Sequence, residues 1–410
     1  MTLLPVEEAV RKLLEGVKPL EAETVPLGDA AGRVLASDLA ARRTQPPFPA
    51  SAMDGYAVRA ADALTGARLQ VIGESRAGER FSGLVEAGQA VRIFTGAPVP
   101  EGADAILIQE NAEREADAIE VLETVEAGSF IRPAGLDFHA GDMLLKQGRL
   151  LDSRAVALAA SMDYAALPVR RRPVVAILSN GDELVPPGAE AGPDQIVSSN
   201  GVGLSAFVRE CGGEALDLGI APDSEAAIGA FVDRAAGADA LVAIGGASVG
   251  EHDLVKGALA RKGMTLDFWR IAMRPGKPLL VGRLDAMVVL GLPGNPVSAL
   301  VCAHVFLKPL LRTMLGLPFK NALAAARLGN PMPANDGRQD YVRARLAFRD
   351  GEWFAAPFPV QDSSMLATLA EADALIVRPA LAPAGAAGER VAIVPLWAAD
   401  QALLRPFSPE

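Results

Sequence analysis

The chain has 410 residues, 50% of them hydrophobic and 22% charged, with a formal net charge of −11. That length suits roughly two to four domains with real cores. The acidic balance excludes a global basic face for nucleic acid, so any anion chemistry must gather its Arg and Lys locally.

Taken in order, Val6, Val10, Leu13, Leu14 and Val17 recur at helical spacing and predict an amphipathic helix over 5–17. Glu7 and Glu8 interrupt any apolar leader. Thr24–Leu27 reads as extended, and Gly28–Ala36 as a short helix. The run Gln45-Pro46-Pro47-Phe48-Pro49 cannot be helical, because each proline lacks an N–H and drives its predecessor toward extended geometry. It delivers Ser51, Met53 and Asp54 as a stiff tip. Asp54-Gly55 is a turn signal, followed by a strand at Tyr56-Ala57-Val58. A carboxylate there serves either a surface Asx turn or an active site. Short alternating runs at Leu69–Ile72, Ala90–Phe94, Ala105–Ile108 and Ala118–Leu122 predict a β-rich module over about 56–150. Leu151–Met162 returns to helix.

Arg170-Arg171-Arg172-Pro173 marks a boundary, after which the rhythm becomes βα. Val174–Leu178 is a continuous apolar run, as a strand covered on both faces requires. Helices over Ser199–Cys211, Glu225–Ala235 and Asp253–Arg261 alternate with strands at Ala215–Ile220 and Ala240–Ile244, and Asp223 stands where a helix N-cap belongs. Leu279–Leu290 reads as two strands around Asp285, and Pro296–Leu315 as the closing helix. Residues 286–307 carry no charge and are long enough to raise a membrane span. Gly291, Pro293, Gly294, Asn295 and Pro296 break that run into strand, loop and helix. The pattern predicts a doubly wound α/β domain with a mostly parallel sheet, whose ligands lie at the carboxyl ends of the strands. Short strands at Val342–Phe348, Trp353–Pro357, Ala374–Val377 and Arg390–Val394 predict a small C-terminal β barrel or sandwich. The expected domains are 1–170, 171–318 and 319–410.

Three strand-end loops and one basic turn collect the chemistry. Ser179-Asn180-Gly181-Asp182-Glu183 places two acids after a strand, suited either to Mg²⁺, which takes oxygen ligands, or to a plain Gly-Asp turn. In Gly245-Gly246-Ala247-Ser248-Val249-Gly250-Glu251-His252-Asp253, glycines permit close backbone approach and a helix start offers N–H groups to phosphate. Gly291-Leu292-Pro293-Gly294-Asn295-Pro296-Val297-Ser298 repeats the strand–turn–helix plan, with Pro296 where its missing N–H costs nothing. Arg270, Arg274 and Lys277, among Pro275, Gly276 and Pro278, form either a rigid oxyanion clamp or a solvated basic turn. No Ser/His/Asp grouping is apparent, which points away from a hydrolase of that type and toward metal-assisted phosphate chemistry. Cys211 and Cys302 read as buried thiols of a reducing cytosol, with no zinc spacing.

These residues resemble one family. Pro47-Phe48 with Ser51-Ala52-Met53-Asp54-Gly55-Tyr56-Ala57 is similar to the signature of the molybdopterin molybdenumtransferases, the MoeA and gephyrin E-domain family. Collinear matches follow at Ile93–Ala97, Pro100–Ala105, Ile131-Arg132-Pro133 with Gly135-Leu136-Asp137, Gly181-Asp182-Glu183-Leu184, Ser248–Glu251 with Asp253, Pro275–Pro278 and Gly291–Pro296. Gly337-Arg338 with Tyr341-Val342-Arg343, and Ser363–Leu366, extend them to the C-terminal domain.

The resemblance implies a cytoplasmic, Mg²⁺-dependent enzyme that takes adenylylated molybdopterin and molybdate, releases AMP and leaves molybdenum on the dithiolene. It implies a homodimer whose active site is shared between subunits, with molybdopterin adenylyltransferase and downstream cofactor acceptors as partners, and neither nucleic acid nor membrane. By similarity, Asp54, Asp182, Glu183 and Asp253 are the metal candidates, with Thr95, Arg132, Asp137 and Asp223 completing the catalytic set. Ser179, Gly181, Gly245, Gly246, Ser248, Gly250, Pro293 and Pro296 would line the pterin phosphate or adenylate site. Arg270, Arg274, Lys277 and Ser298 would bind molybdate and phosphate. Departures are Pro49-Ala50 for the usual Asp-Asn, Asn180 for Ser or Thr, Ala247 for a bulkier residue, and Arg for Lys at 270 and 274. Arg keeps charge but not geometry, so oxyanion preference, tungstate included, is open to change. The competing readings are a molybdopterin adenylyltransferase, which resembles the α/β domain alone, and a non-catalytic gephyrin-like scaffold.

Overall fold

The computed structural model describes residues 3–245, 254–318 and 323–396. The chain divides into two units, Thr24–Val169 and the remainder, Met1–Glu23 with Arg170–Glu410.

The larger unit is built on a six-stranded sheet in the order Glu214–Ala221, Val174–Asn180, Ala240–Ile244, Met287–Leu292, Leu280–Leu284, Thr265–Trp269. The first four strands run parallel. The last two are antiparallel additions, joined to the parallel set by a hairpin turning at Asp285, whose φ is +51°. Alternate residues feed opposite cores. Val175, Ile177, Val242, Ile244 and Leu290 pack with Val6, Val10, Leu13, Leu204 and Phe306, while Ala176, Leu178, Leu241, Ala243 and Val289 pack with Ile228, Val232, Val255 and Leu259. Helices on both faces explain why the inner strands Val174–Asn180 and Ala240–Ile244 carry such long apolar runs. The first helix, Val6–Leu14, buries Val6, Ala9, Val10 and Leu13, one face at helical spacing.

The uncharged stretch resolves as the sequence predicts, into strand, loop and helix. Pro296–Met314 is long and apolar enough to cross a membrane, yet its apolar window is 72% buried within the protein. It is a core helix, with a π-turn at Ala303–Leu307.

Five strands then close a barrel. Gln339–Arg349 pairs with both Glu352–Pro357 and Ala374–Arg378. Ala374–Arg378 pairs with Arg390–Pro395, which pairs with Ala324–Leu328, and that strand meets Glu352–Pro357 in parallel. Met273–Arg274 adds itself to the end of Gln339–Arg349, tying the basic turn to the barrel.

The smaller unit holds a second six-stranded sheet in the order Ala105–Ile108, Gly55–Val58, Gln89–Ile93, Arg68–Ser75, Ala118–Val121, Ala112–Glu115. Beside it, helix Ser153–Ser161 is capped by Asp152, whose carboxylate accepts from Ala155 N at 2.8 Å. That helix packs on Leu35, Leu39, Leu145, Leu151 and Leu167.

The helix expected at Gly28–Ala36 is absent. Only a 3₁₀ turn forms at Leu27–Asp29, and Val34 and Leu35 bridge to Leu150 and Val169 instead. Gly32, at φ +74°, breaks the helical path. Gly55 also differs from its reading as a turn residue, since it opens the strand.

Candidate active site

In the larger unit, the carboxyl ends of the four parallel strands converge. Val174–Asn180 ends at Asn180, whose Nδ2 donates to Asp223 Oδ1 at 3.0 Å. Asp223 N in turn donates to Asp182 Oδ1 at 3.0 Å. Gly181 N reaches Ala221 O at 3.3 Å. The loops after two neighbouring strands are thus stitched together around three acids, Asp182, Glu183 and Asp223, all exposed. Gly181 sits at φ +148°, a backbone conformation that residues other than glycine rarely adopt, and its Cα faces the Glu183 carboxylate. Asp223 is not the cap of the next helix. Ser224 takes that place, its Oγ accepting from Ala227 N at 3.2 Å, which leaves the Asp223 carboxylate to the loop.

Gly245 follows the third strand, its N donating to Leu292 O at 3.1 Å, while a Cβ on it would meet Asn180 O at 3.1 Å. Gly294 comes so near that its own Cβ would lie 3.6 Å from Gly245 Cα. Asn200 Nδ2 fixes Gly294 O at 2.6 Å. Ser179, Pro293 and Ser298 are buried beneath these loops, and Pro296 lies in the first turn of its helix. Asn295 Nδ2 donates to Ser363 Oγ at 2.7 Å, and Val297 N to Ser363 O at 3.1 Å, so a barrel segment holds the helix start. That segment is organised by buried Arg343, which donates to Met365 O at 3.1 Å, Asp362 O at 2.9 Å and Gln361 Oε1 at 3.2 Å.

The basic turn is not uniform. Lys277 is exposed. Arg270, at φ +77°, lies over the Trp269 ring with its Cζ 4.4 Å from the centroid, and its buried Nε meets no partner among the described residues. Arg274 directs its donors to the barrel: Asp336 Oδ2 at 3.2 Å, Asn335 Oδ1 at 3.3 Å, and Asp340 in a tight pair. Burial pushes the Asp340 carboxyl above its usual range even with Arg274 beside it.

In the smaller unit the stiff arm pairs Ala50-Ser51 with Arg132-Ile131. Ser51 Oγ donates to Met53 O at 2.6 Å, which shapes the tip. Asp54 accepts from Thr95 N and Thr95 Oγ1, each at 2.8 Å. These bonds, the backbone one first, hold its carboxyl below the usual aspartate range. Arg132 and Asp137 are exposed, with Asp137 N bound to Gln45 O at 3.0 Å. Thr95→Val keeps the backbone donor and removes the hydroxyl. A titration of the Asp54 carboxyl by NMR is expected to find its pKa raised part of the way toward the ordinary value, and an unmoved pKa would contradict this account.

Gly246, Ser248, Gly250 and Asp253 lie outside the described residues, as do the Ala247 departure and His252. Sequence reasoning missed Asn200, Arg92, Asp336 and Asp340. Arg92 lies under the tip, donating to Gly55 O at 3.2 Å and Gln109 Oε1 at 2.9 Å. Among the described residues no group of three or more His, Cys, Asp or Glu could by itself hold a metal. The donor set nevertheless fits Mg²⁺, which uses one or two carboxylates and completes its shell with substrate phosphates and water. Asp182 and Glu183 offer hard oxygens, and Asn180 Oδ1 is buried with no partner among the described residues.

Three family models match: MoeA N-terminal region (domain I and II) at residues 4–162, probable molybdopterin binding domain at 176–313, and MoeA C-terminal region (domain IV) at 325–396. The molybdopterin molybdenumtransferase of Haemophilus influenzae is 35% identical over 403 residues, covering 96% of this chain and 98% of that protein. The Bacillus subtilis molybdopterin molybdenumtransferase is 34% identical, covering 92% of this chain and 90% of that one. Two structures of a molybdopterin biosynthesis MoeA protein from Pyrococcus horikoshii match at TM-scores of 0.84 and 0.81 and identities of 31% and 29%, each covering 96% of this chain and 99% of the other. Such likeness over nearly the whole length shows that the chain belongs to the MoeA family of molybdopterin molybdenumtransferases.

Proposed function

We propose that this protein is a molybdopterin molybdenumtransferase of molybdenum cofactor biosynthesis, taking adenylylated molybdopterin and molybdate and releasing AMP. The observation that carries the reading is the strand-end cluster of Asp182, Glu183 and Asp223 beside Gly245 and Gly294, in a chain that matches its relatives from end to end. Mg²⁺ would be held by Asp182 and Glu183 and would neutralise charge on the phosphate that leaves. The chain's own groups bind and orient. Gly245 and Gly294 let backbone come close to an anionic ligand. Lys277 and Arg270 attract the oxyanion, while Arg274, committed to Asp336 and Asp340, keeps the turn in place. Asp54, held ionised by Thr95, is the acid supplied by the arm.

The working enzyme in this reading is a cytoplasmic homodimer in which the Asp54 tip of one copy serves the Glu183 loop of the other. It receives its substrate from a molybdopterin adenylyltransferase and passes the product to cofactor acceptors. Purified protein is expected to release AMP from adenylylated molybdopterin only with molybdate and Mg²⁺ both present. If the same preparation instead makes the adenylate from ATP and molybdopterin, it is the adenylyltransferase. If it does neither, the scaffold reading stands.

A further inference from the structure

The larger unit contains a cavity of about 460 Å³ that none of the strand-end chemistry uses. It lies among the first helix, the Pro296–Met314 helix and the barrel, with Val6, Val377, Val391 and Val394 as apolar wall. From the long helix, His304, Lys308 and Arg312 also line it, at four-residue spacing and so along one helix face. His304 sits in the π-turn, a local widening of the helix often found at functional sites.

Two observations leave this wall open to a partner, beside His304, whose ring is held edge-on by Phe207 at 4.7 Å. Among the described residues Lys308 forms no ion pair, and the Arg312 side chain donates to Pro318 O alone, at 3.4 Å. The cavity's two acids lie on other elements than this helix face. Glu389 accepts from Ala386 N at 3.0 Å, and Glu7 lies on the opposite helix. An excess of cation in one pocket stands out in a chain of net charge −11. A preformed, mainly apolar cavity of this size with a few convergent polar groups is built like a small-molecule site.

We propose that this cavity binds a small amphipathic anion, with its apolar body against the valine wall and its carboxylate or phosphate head on His304, Lys308 and Arg312. Isothermal titration of the full chain with octanoate, octyl phosphate and octylammonium tests it. At least one of the two anions should bind once per chain, about tenfold or more tighter than the cation. Which of them binds identifies the head group. Lys308→Gln with Arg312→Gln should weaken that binding by about tenfold, whereas Lys256→Gln, a cation outside the cavity, should not. In the unaltered protein, saturation should shift the ring nitrogen signals of His304, one of three histidines, whether or not the variants fold. Binding of neither anion, equal binding of octylammonium, or an unmoved His304 signal overturns the proposal.

Discussion

Gly55→Ala is expected to destabilise the Thr24–Val169 unit by roughly 3 kcal/mol, because the added methyl group has nowhere to go. Gly55 pairs with Ile93 on one side and Ile108 on the other. A Cβ on it would stand 2.1 Å from Leu107 O and 2.9 Å from Ile108 Cα. Both are backbone atoms of the neighbouring strand, so relief requires breaking the ladder that also holds Tyr56 against Leu107. A loss of that size lowers the melting temperature of a unit this large by about 10 °C. Gly28→Ala is the control, since nothing lies within 4 Å of its Cβ position and its φ is not positive. Thermal unfolding followed by circular dichroism should separate the two variants, and equal melting would refute the packing argument.

The second large effect falls on activity. Asp54→Ala and Glu183→Ala should each lower AMP release by about a hundredfold or more, the range for loss of a charged group that orients or neutralises the reacting centre. Asp54 is half-buried and Glu183 exposed, so both variants should stay folded. Glu183→Ala should change stability by about 0.5 kcal/mol or less. Asp54→Ala, which gives up two hydrogen bonds from Thr95, should change it by about 1–3 kcal/mol. Equal mixing of the two under subunit exchange should restore activity. Half of the dimers are then mixed, and each mixed dimer owns one intact site of two, so the mixture should reach about one quarter of the native rate. A site complete within one chain predicts no recovery at all, and that result would remove the shared-site proposal.

Much of this fold is legible in the sequence, for physical reasons that differ by element. The parallel strands announce themselves because burial on both faces demands continuous apolar runs, as at Val174–Leu178. Ala324–Leu328 gives no such signal. Its sequence Ala-Ala-Ala-Arg-Leu favours a helix locally, and only pairing with Arg390–Pro395 and Glu352–Pro357 makes it a strand. The loop Gly181-Asp182-Glu183 is readable as a candidate site from its own residues, whereas Asp223 enters only through the resemblance, because Asp and Ser both cap helices and local sequence cannot choose between 223 and 224. The commitment of Arg274 is equally hidden. Its partners Asp336 and Asp340 lie 62 and 66 residues further on, and only strand pairing brings them to it. Gly55 looks like a turn glycine beside Asp54. The need for glycine comes instead from Leu107, a contact set by sheet order.

The most direct test of the central claim measures two products in one reaction. With adenylylated molybdopterin, molybdate and Mg²⁺, the protein is predicted to release one AMP for each molybdenum gained by the pterin dithiolene, and to do neither when molybdate is withheld. AMP formed at the full rate without molybdate, or with no molybdenum gained, would contradict it.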